Sequence, residues 1–180
     1  RDAFGYAALS PCASVTVSDR AYPVSLMAGA SVPVAVAPHT ISLDEPHSRF
    51  AISGSGSRRK SAFQMAQELL NASPDHRWAL VSNGRQLRLL RDAATLTRPS
   101  FLEVDLQDLL GGSRFAEFAM VWRLLHASRA GLEPGTGEVW ERWREAGQEE
   151  GTRVREGLRE GVTQALLTLG DGFLQHPGNE

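Results

Sequence analysis

Two arginine-bearing stretches hold most of the chemistry this sequence offers. "SRRK" (57–60) sets Arg58, Arg59 and Lys60 directly ahead of a predicted helix start at Ser61. Backbone N–H groups at a helix N-terminus attract anions, and adjacent cations reinforce the attraction. "LVSNGRQLRLLRD" (80–92) carries Arg85, Arg88 and Arg91. A guanidinium presents a planar fork of donors that matches phosphate geometry. These six residues are the candidate contacts to a nucleic-acid backbone.

Hydrolytic chemistry has less to work with. Metal-assisted phosphodiester cleavage needs carboxylates that hold a divalent ion and a group that positions the attacking water. Lys60 is the only lysine, and it follows Ser-Arg-Arg rather than Asp-x or Glu-x. Asp44 and Glu45 are adjacent, so on a strand they point to opposite faces; they are the residues a rearranged metal site would draw on. There is no G-x-S-x-G elbow, and the five histidines are scattered. "SGSGS" (53–57) lacks the spacing of a P-loop or a dinucleotide fingerprint and reads as a flexible linker. Neither a glycine-rich strand-to-helix turn nor an Asn/Asp-Pro-Pro-Tyr/Phe target-base motif is present, so no methyl-donor pocket is signalled. No catalytic residue, metal ligand or cofactor is assigned within this stretch.

Composition narrows the partners. The net charge is −2 over 180 residues, so a chain-wide basic field is absent and any nucleic-acid contact must be a local patch. Cys12 is the only cysteine, which excludes a disulfide framework or a cysteine-rich zinc site within one chain and suits a reducing cytoplasm. No apolar run approaches the ~20 residues that cross a bilayer, so no membrane partner is expected. The opening "RDAFGYAAL" reads like the last turns of a helix and "HPGNE" closes without a stop signal, as an excised piece of a longer chain would.

The elements that must position these residues fall into two parts. "ASVTV" (13–17), "AYPVSLMA" (21–28) and "VPVAVA" (32–37) alternate branched residues between turn signals and read as strands. Pro23 and Pro33 push theirs to edge or strand-start positions. Ser61 and Gln64 form a capping box, followed by Phe63, Ala66 and Leu70 on one helical face with Met65 and Leu69 beside them. Asn83-Gly84 then predicts a type I′ hairpin. Its register would pair Ser82 with Arg85, Leu80 with Leu87 and Trp78 with Leu89 on the core side. Val81–Gln86 and Ala79–Arg88 would fall on a half-wet side. "FLEVDL" (101–106) reads as one more strand. "SRFAEFAMVWRLLHASR" (113–129) reads as a core-facing helix through Phe115, Phe118, Trp122, Leu125 and Arg129, with His126 packed beside that stripe rather than ligating.

After the break "GLEPGTG", Trp140, Trp143, Val154, Leu158, Val162, Leu166, Leu169 and Phe173 recur at helical spacing. Gly147, Gly151, Gly157 and Gly161 interrupt this stretch, which is either one long helix or a bent pair. The expected fold is therefore α+β: a nuclease-like domain over residues 1–112 with a mixed or largely antiparallel sheet and a flanking helix, then a helical hairpin or connector over 113–180.

The order β-β-β-α-β is shared by the PD-(D/E)xK nucleases, and the missing acid on "VPVAVAPH" makes this a degenerate version. "HRWALVSNGRQLRLLRD…TRPSFLEVDLQDLL" followed by "RFAEFAMVWRLLHASR" resembles the N-terminal region of type IIG-like adenine-N6 DNA methyltransferases of restriction–modification systems, including the DISARM-type enzymes of phage defence. "WREAGQEEGTRVREGLREGVTQALLTLGDGFLQHP" resembles the helical connector ahead of their methyltransferase domain, and "RAYPVSLMAGASVPVAVAP" their upstream sheet. The resemblance implies a parent that binds duplex DNA and S-adenosylmethionine, with this stretch as its noncatalytic N-terminal scaffold in the cytoplasm. Two other readings stand beside it. One is an active Mg²⁺ endonuclease using Asp44 or Glu45; the other is a module that docks a partner subunit through Trp140, Trp143 and the C-terminal helix.

Overall fold

A computed structural model describes residues 3–54, 59–91, 101–132 and 138–179. The chain forms two compact units, residues 1–137 and 138–180. The first is an α+β arrangement around a mixed six-stranded sheet. Its strands are β1 (Leu9–Pro11), β4 (Leu26–Ala28), β5 (Val32–Val36), β6 (Trp78–Ser82), β7 (Gln86–Arg91) and β8 (Phe101–Asp105), in that spatial order. Neighbours run antiparallel except β5 and β6, which are parallel. A parallel pair needs a crossover, and α1 (Ala62–Ala72) lies within it. Two short strands, β2 (Val15–Val17) and β3 (Arg20–Tyr22), pair in a separate ribbon.

Proline sets the early strand boundaries. Pro23 lacks an N–H, and "AYPVSLMA" divides there: β3 ends at Tyr22 in the ribbon and β4 begins at Leu26 in the main sheet. Pro33 is the second residue of β5, which is an interior strand. It pairs with Met27 across the antiparallel side, while the parallel ladder begins one residue later at Val34–Leu80, so the missing donor falls before that ladder.

Residues 3–8 form turns, not the end of a helix. Gly5 adopts φ +70° and the chain turns into β1. A side chain at Gly5 would meet His126 Nε2 at 2.7 Å, so glycine is required there for both conformation and space.

α1 forms where its caps and spacing dictate. Ser61 Oγ accepts from the Gln64 N–H at 3.1 Å, and the Gln64 side chain accepts from the Ser61 N–H at 3.2 Å. Ala62, Met65, Ala66, Leu69 and Leu70 are buried in one cluster with Ala35, Ala79, Val81 and Leu90 of the sheet. Small side chains on both partners, Ala62 and Ala66 against Ala35 and Ala79, suit a close approach of helix to strands.

The hairpin exists, but its register differs by two residues from the expected one. Ser82 pairs with Leu87, Leu80 with Leu89 and Trp78 with Arg91. Gly84 alone has positive φ (79°), and the Asn83 N–H donates to Gln86 O, so Gly84-Arg85 is the loop. Asn83 is buried and its amide is engaged: Oδ1 accepts from the N–H groups of Arg85 and Gln86, and Nδ2 donates to Ile41 O. These bonds hold Asn83 in the ladder instead of the loop. Of the side expected to be half-wet, Ala79, Val81 and Arg88 are buried on the face that α1 covers, together with Leu90, and Gln86 is half-buried.

The opposite face is also covered. Tyr6 OH donates to Leu125 O at 2.8 Å, the Ala127 N–H donates to Phe4 O, and Phe4 packs edge-on against Phe118 at 6.0 Å. These contacts tie the N-terminal segment to α3 (Phe115–Leu125), which follows α2 (Leu106–Gly111). α3 therefore groups with the sheet, and the division between units falls after Gly137 rather than at 112/113. α3 is not core-facing along its length: Leu125 is buried, whereas Phe115 is 81 % exposed and Met120 69 %. The helix ends before His126, so Arg129 lies in a following 3₁₀ turn. His126 is half-buried against Trp122 at 4.8 Å between ring centroids, with Nδ1 2.9 Å from Ser128 Oγ.

The second unit is α4 (Val139–Leu174), 36 residues unbroken through Gly147 and Gly151. Val154, Leu158, Val162, Leu166, Leu169 and Phe173 are each more than half exposed. No described helix is long and apolar enough to cross a membrane.

Ser61→Ala removes the acceptor for the Gln64 N–H at a fully buried site, and an N-cap of this kind contributes about 1–2 kcal/mol. Urea unfolding is expected to show that loss, with a smaller one for Gln64→Ala, whose side chain closes the reciprocal bond.

Candidate nucleic-acid interface

Arg88 is the most constrained side chain of the candidate set. It sits in the middle of β7, between Val81 of β6 and Glu103 of β8, facing α1. Its side chain is 6 % exposed. A guanidinium in that position cannot lose its proton, so it must find acceptors. Nη1 and Nη2 donate to Asp44 Oδ1 and Oδ2 at 2.6 and 2.7 Å, and Nε donates to Glu103 Oε2 at 2.6 Å. Phe63 of α1 and Phe101 of β8 flank the guanidinium carbon, with ring centroids at 5.3 and 4.3 Å.

Asp44 reaches this site because its loop is fastened to the hairpin tip. Asn83 Nδ2 donates to Ile41 O, His39 Nδ1 lies 3.1 Å from Asn83 O, Ser42 Oγ accepts from the Asp44 N–H, and Leu43 is fully buried. Asp44 and Glu45 lie in this loop, not on a strand. The hydrogen bond from Arg88 holds the Asp44 carboxyl below its ordinary range, against the opposing effect of burial. The same bond pushes the Arg88 pKa up from an already high value.

The expectation that Arg88 stands on a wet face is overturned. Its donors point into the protein, where two carboxylates hold them.

The remaining candidates are dispersed. Arg58 lies outside the described residues. Arg59 is exposed two positions ahead of the Ser61 cap. Lys60 is engaged: its ammonium pairs with Glu68, and its carbonyl accepts from the His47 N–H. Arg85 is exposed at the hairpin loop, with Nε donating to Gln107 Oε1 at 3.1 Å. It borders a polar cleft of about 260 Å³ with Thr40, Ser42, Gln86, Asp105 and Gln107. Arg91 is half-buried at the other end of β7, opposite Trp78. Six residues of strand separate Arg85 from Arg91 by roughly 20 Å, so the three hairpin arginines do not form one strip.

Among the described residues no three His, Cys, Asp or Glu side chains gather as a metal site requires. Residues 26–28 and 32–36, the strands β4 and β5, carry no acid. The Asp44–Arg88–Glu103 cluster and the Gln107 contact to Arg85 did not emerge from the sequence. One signal was available: Arg88 stands inside "LRLL", and a charge within an apolar run needs a buried partner.

No family profile, no curated protein and no solved structure matches the chain.

Asp44→Ala leaves Arg88 buried with Glu103 as its remaining partner, and Arg88→Ala leaves a hole between two phenylalanines. Breaking a buried pair from one side costs about 3–5 kcal/mol; the exposure of the Asp44 side chain, 57 %, places Arg88→Ala toward the lower end of that range. Arg88→Lys is not expected to restore stability, because an ammonium cannot span both Asp44 oxygens and Glu103. Denaturant midpoints of the three variants check this.

Because Asp44 is depressed in the folded state, its contribution is fully present above its unfolded pKa and is lost as pH falls through the folded value. Unfolding free energies followed downward from about pH 5 are expected to fall less steeply in Asp44→Asn than in the parent chain.

Proposed function

We propose that this chain is a non-cutting, nuclease-like scaffold belonging to an adenine-specific DNA methyltransferase of a restriction–modification or phage-defence system. It meets duplex DNA through its exposed arginines Arg59 and Arg85. The fold order of β4, β5, α1 and β6 supports the nuclease-like part, together with the sequence resemblance. The observation that carries the non-cutting part is the Asp44–Arg88 pair: both oxygens of the acid that reaches the sheet from its loop are engaged by a fixed guanidinium. S-adenosylmethionine and the methyl transfer belong to the rest of the parent, which would act on DNA in the cytoplasm; no residue described here is assigned to that cofactor.

Arg88 and Lys60 leave the DNA-binding set on this reading, since each is paired within the chain. Bonds to phosphate position a protein without reading sequence, and two exposed arginines suit that role. α4 favours a second reading, a module that docks another subunit of the parent assembly: Leu158, Leu166 and Phe173 are each about two-thirds exposed.

Plasmid nicking and duplex binding test the proposal together. No nicking with Mg²⁺ or Mn²⁺ is expected. Binding should weaken with salt, and the slope of log K against log salt should fall by about two when Arg59→Ala and Arg85→Ala are combined, about one unit for each phosphate no longer neutralised. Cutting that disappears in Asp44→Asn with Glu103→Gln would overturn the scaffold reading. An unchanged affinity and slope in the arginine pair would remove them from the interface.

A further inference from the structure

We infer that the first unit holds a binding pocket for a small apolar molecule, of single-ring size or the end of an alkyl chain. The pocket lies on the face of the sheet opposite α1. It is a half-open pocket of about 130 Å³ between Val34 of β5, Leu80 of β6, Leu87 of β7, Leu125 at the end of α3, Phe4 and Tyr6 of the N-terminal segment, and Leu9 of β1.

Its chemistry defines the ligand class. Six of the seven lining side chains carry no polar atom. The seventh, Tyr6, has its hydroxyl committed to Leu125 O at 2.8 Å, and burial pushes its pKa well above the ordinary tyrosine range. Tyr6 therefore stays neutral and presents its ring rather than its hydroxyl. A water molecule needs two or more polar partners to occupy such a space, and apolar cavities of about 150 Å³ stay dry and take up benzene or xenon. An anion or a sugar would lose its hydration here with nothing in return.

The pocket also has a way in and firm walls. Phe4, Leu9 and Leu87 are half-buried rather than enclosed, whereas Leu80 and Leu125 retain 8 % and 2 % exposure. Three walls are adjacent strands of the sheet. The N-terminal segment closes the fourth side and is fixed by bonds outside the pocket, from Trp122 Nε1 to Ala3 O and from the Ala127 N–H to Phe4 O. The volume is thus framed by hydrogen bonds that do not depend on filling it, so an occupant can come and go without remaking the fold.

Benzene titration followed by methyl NMR of the whole chain tests this. Saturable shifts are expected at the methyls of Leu9, Val34, Leu80, Leu87 and Leu125, with none at Leu166 or Leu169 of α4. Leu87→Phe should raise the unfolding temperature and weaken benzene binding about tenfold. Where Leu87→Phe fails to fold, Leu80→Ala enlarges the space and should admit p-xylene, which the parent chain takes up less well. Absence of shifts, shifts that rise linearly and appear equally on α4, or probe affinities indifferent to both variants would overturn the pocket.

Discussion

The position of one guanidinium organises the first unit. Arg88 is buried in the middle of β7, one strand in from the edge of the sheet, where an unpaired charge is costly. Its carboxylate partners come from the 39–45 loop and from β8, and its aromatic flanks from α1 and β8, so three segments converge on this one residue of β7. The pairing is bidentate on one side and a cross-strand bond on the other, a geometry that only arginine fills. Such a cluster adds less net stability than an apolar core of the same volume, but it makes incorrect registers expensive. If β7 slipped by one residue against β6, Arg88 would face away from Asp44. The hairpin register and the loop that delivers Asp44 are therefore coupled, and Asn83 joins them by bonding to both.

What could be read from the sequence divides along the distance between interacting residues. The capping box at Ser61 and Gln64 was legible because its partners are three residues apart, and α1, the β6–β7 hairpin and β8 all occur where local pattern puts them. The register was not legible: Asn83-Gly84 specifies a type I′ loop locally, but the Asn83 amide bonds to Ile41, 42 residues earlier, and that bond shifts the pairing. Arg88 was misplaced for the same reason, since Asp44 is 44 residues away. The face assignment failed because this sheet is covered on both sides, and alternation cannot then distinguish inside from outside. At the N-terminus the helical spacing of "RDAFGYAAL" was overridden by Gly5, whose fit against His126 is a tertiary constraint.

α4 illustrates the opposite limit, where local pattern gives the element correctly and says little about its purpose. A helix of 36 residues extends about 54 Å at 1.5 Å per residue. Gly147, Gly151, Gly157 and Gly161 each weaken it by about 1 kcal/mol relative to alanine, and among the described residues of this unit nothing lies within 4 Å of a Cβ built at any of them. Ion pairs one turn apart, Arg144 with Glu141 and Arg153 with Glu150, offset only a few tenths of a kcal/mol each. The sequence therefore keeps small residues where the described residues of this unit give no packing reason for them. That imbalance, rather than amphipathicity alone, is what sustains the docking reading beside the scaffold reading.

The case against cleavage rests on occupancy by charge rather than on a lack of acids. Asp44 and Glu103 do converge, and two carboxylates around a cation is the composition of many phosphodiesterase centres. Here the cation is fixed by covalent attachment to β7, and all three of its nitrogens are engaged with those carboxylates. For a divalent ion to enter, Asp44 would have to release Arg88, leaving a guanidinium buried between Phe63 and Phe101 with half its partners gone. The metal would gain one exposed carboxylate, and the buried guanidinium would keep Glu103 but lose both bonds to Asp44. The side chain that makes the sheet specific is thus the one that stands against its use as a metal centre, which links the fold of this unit to the scaffold role proposed for it.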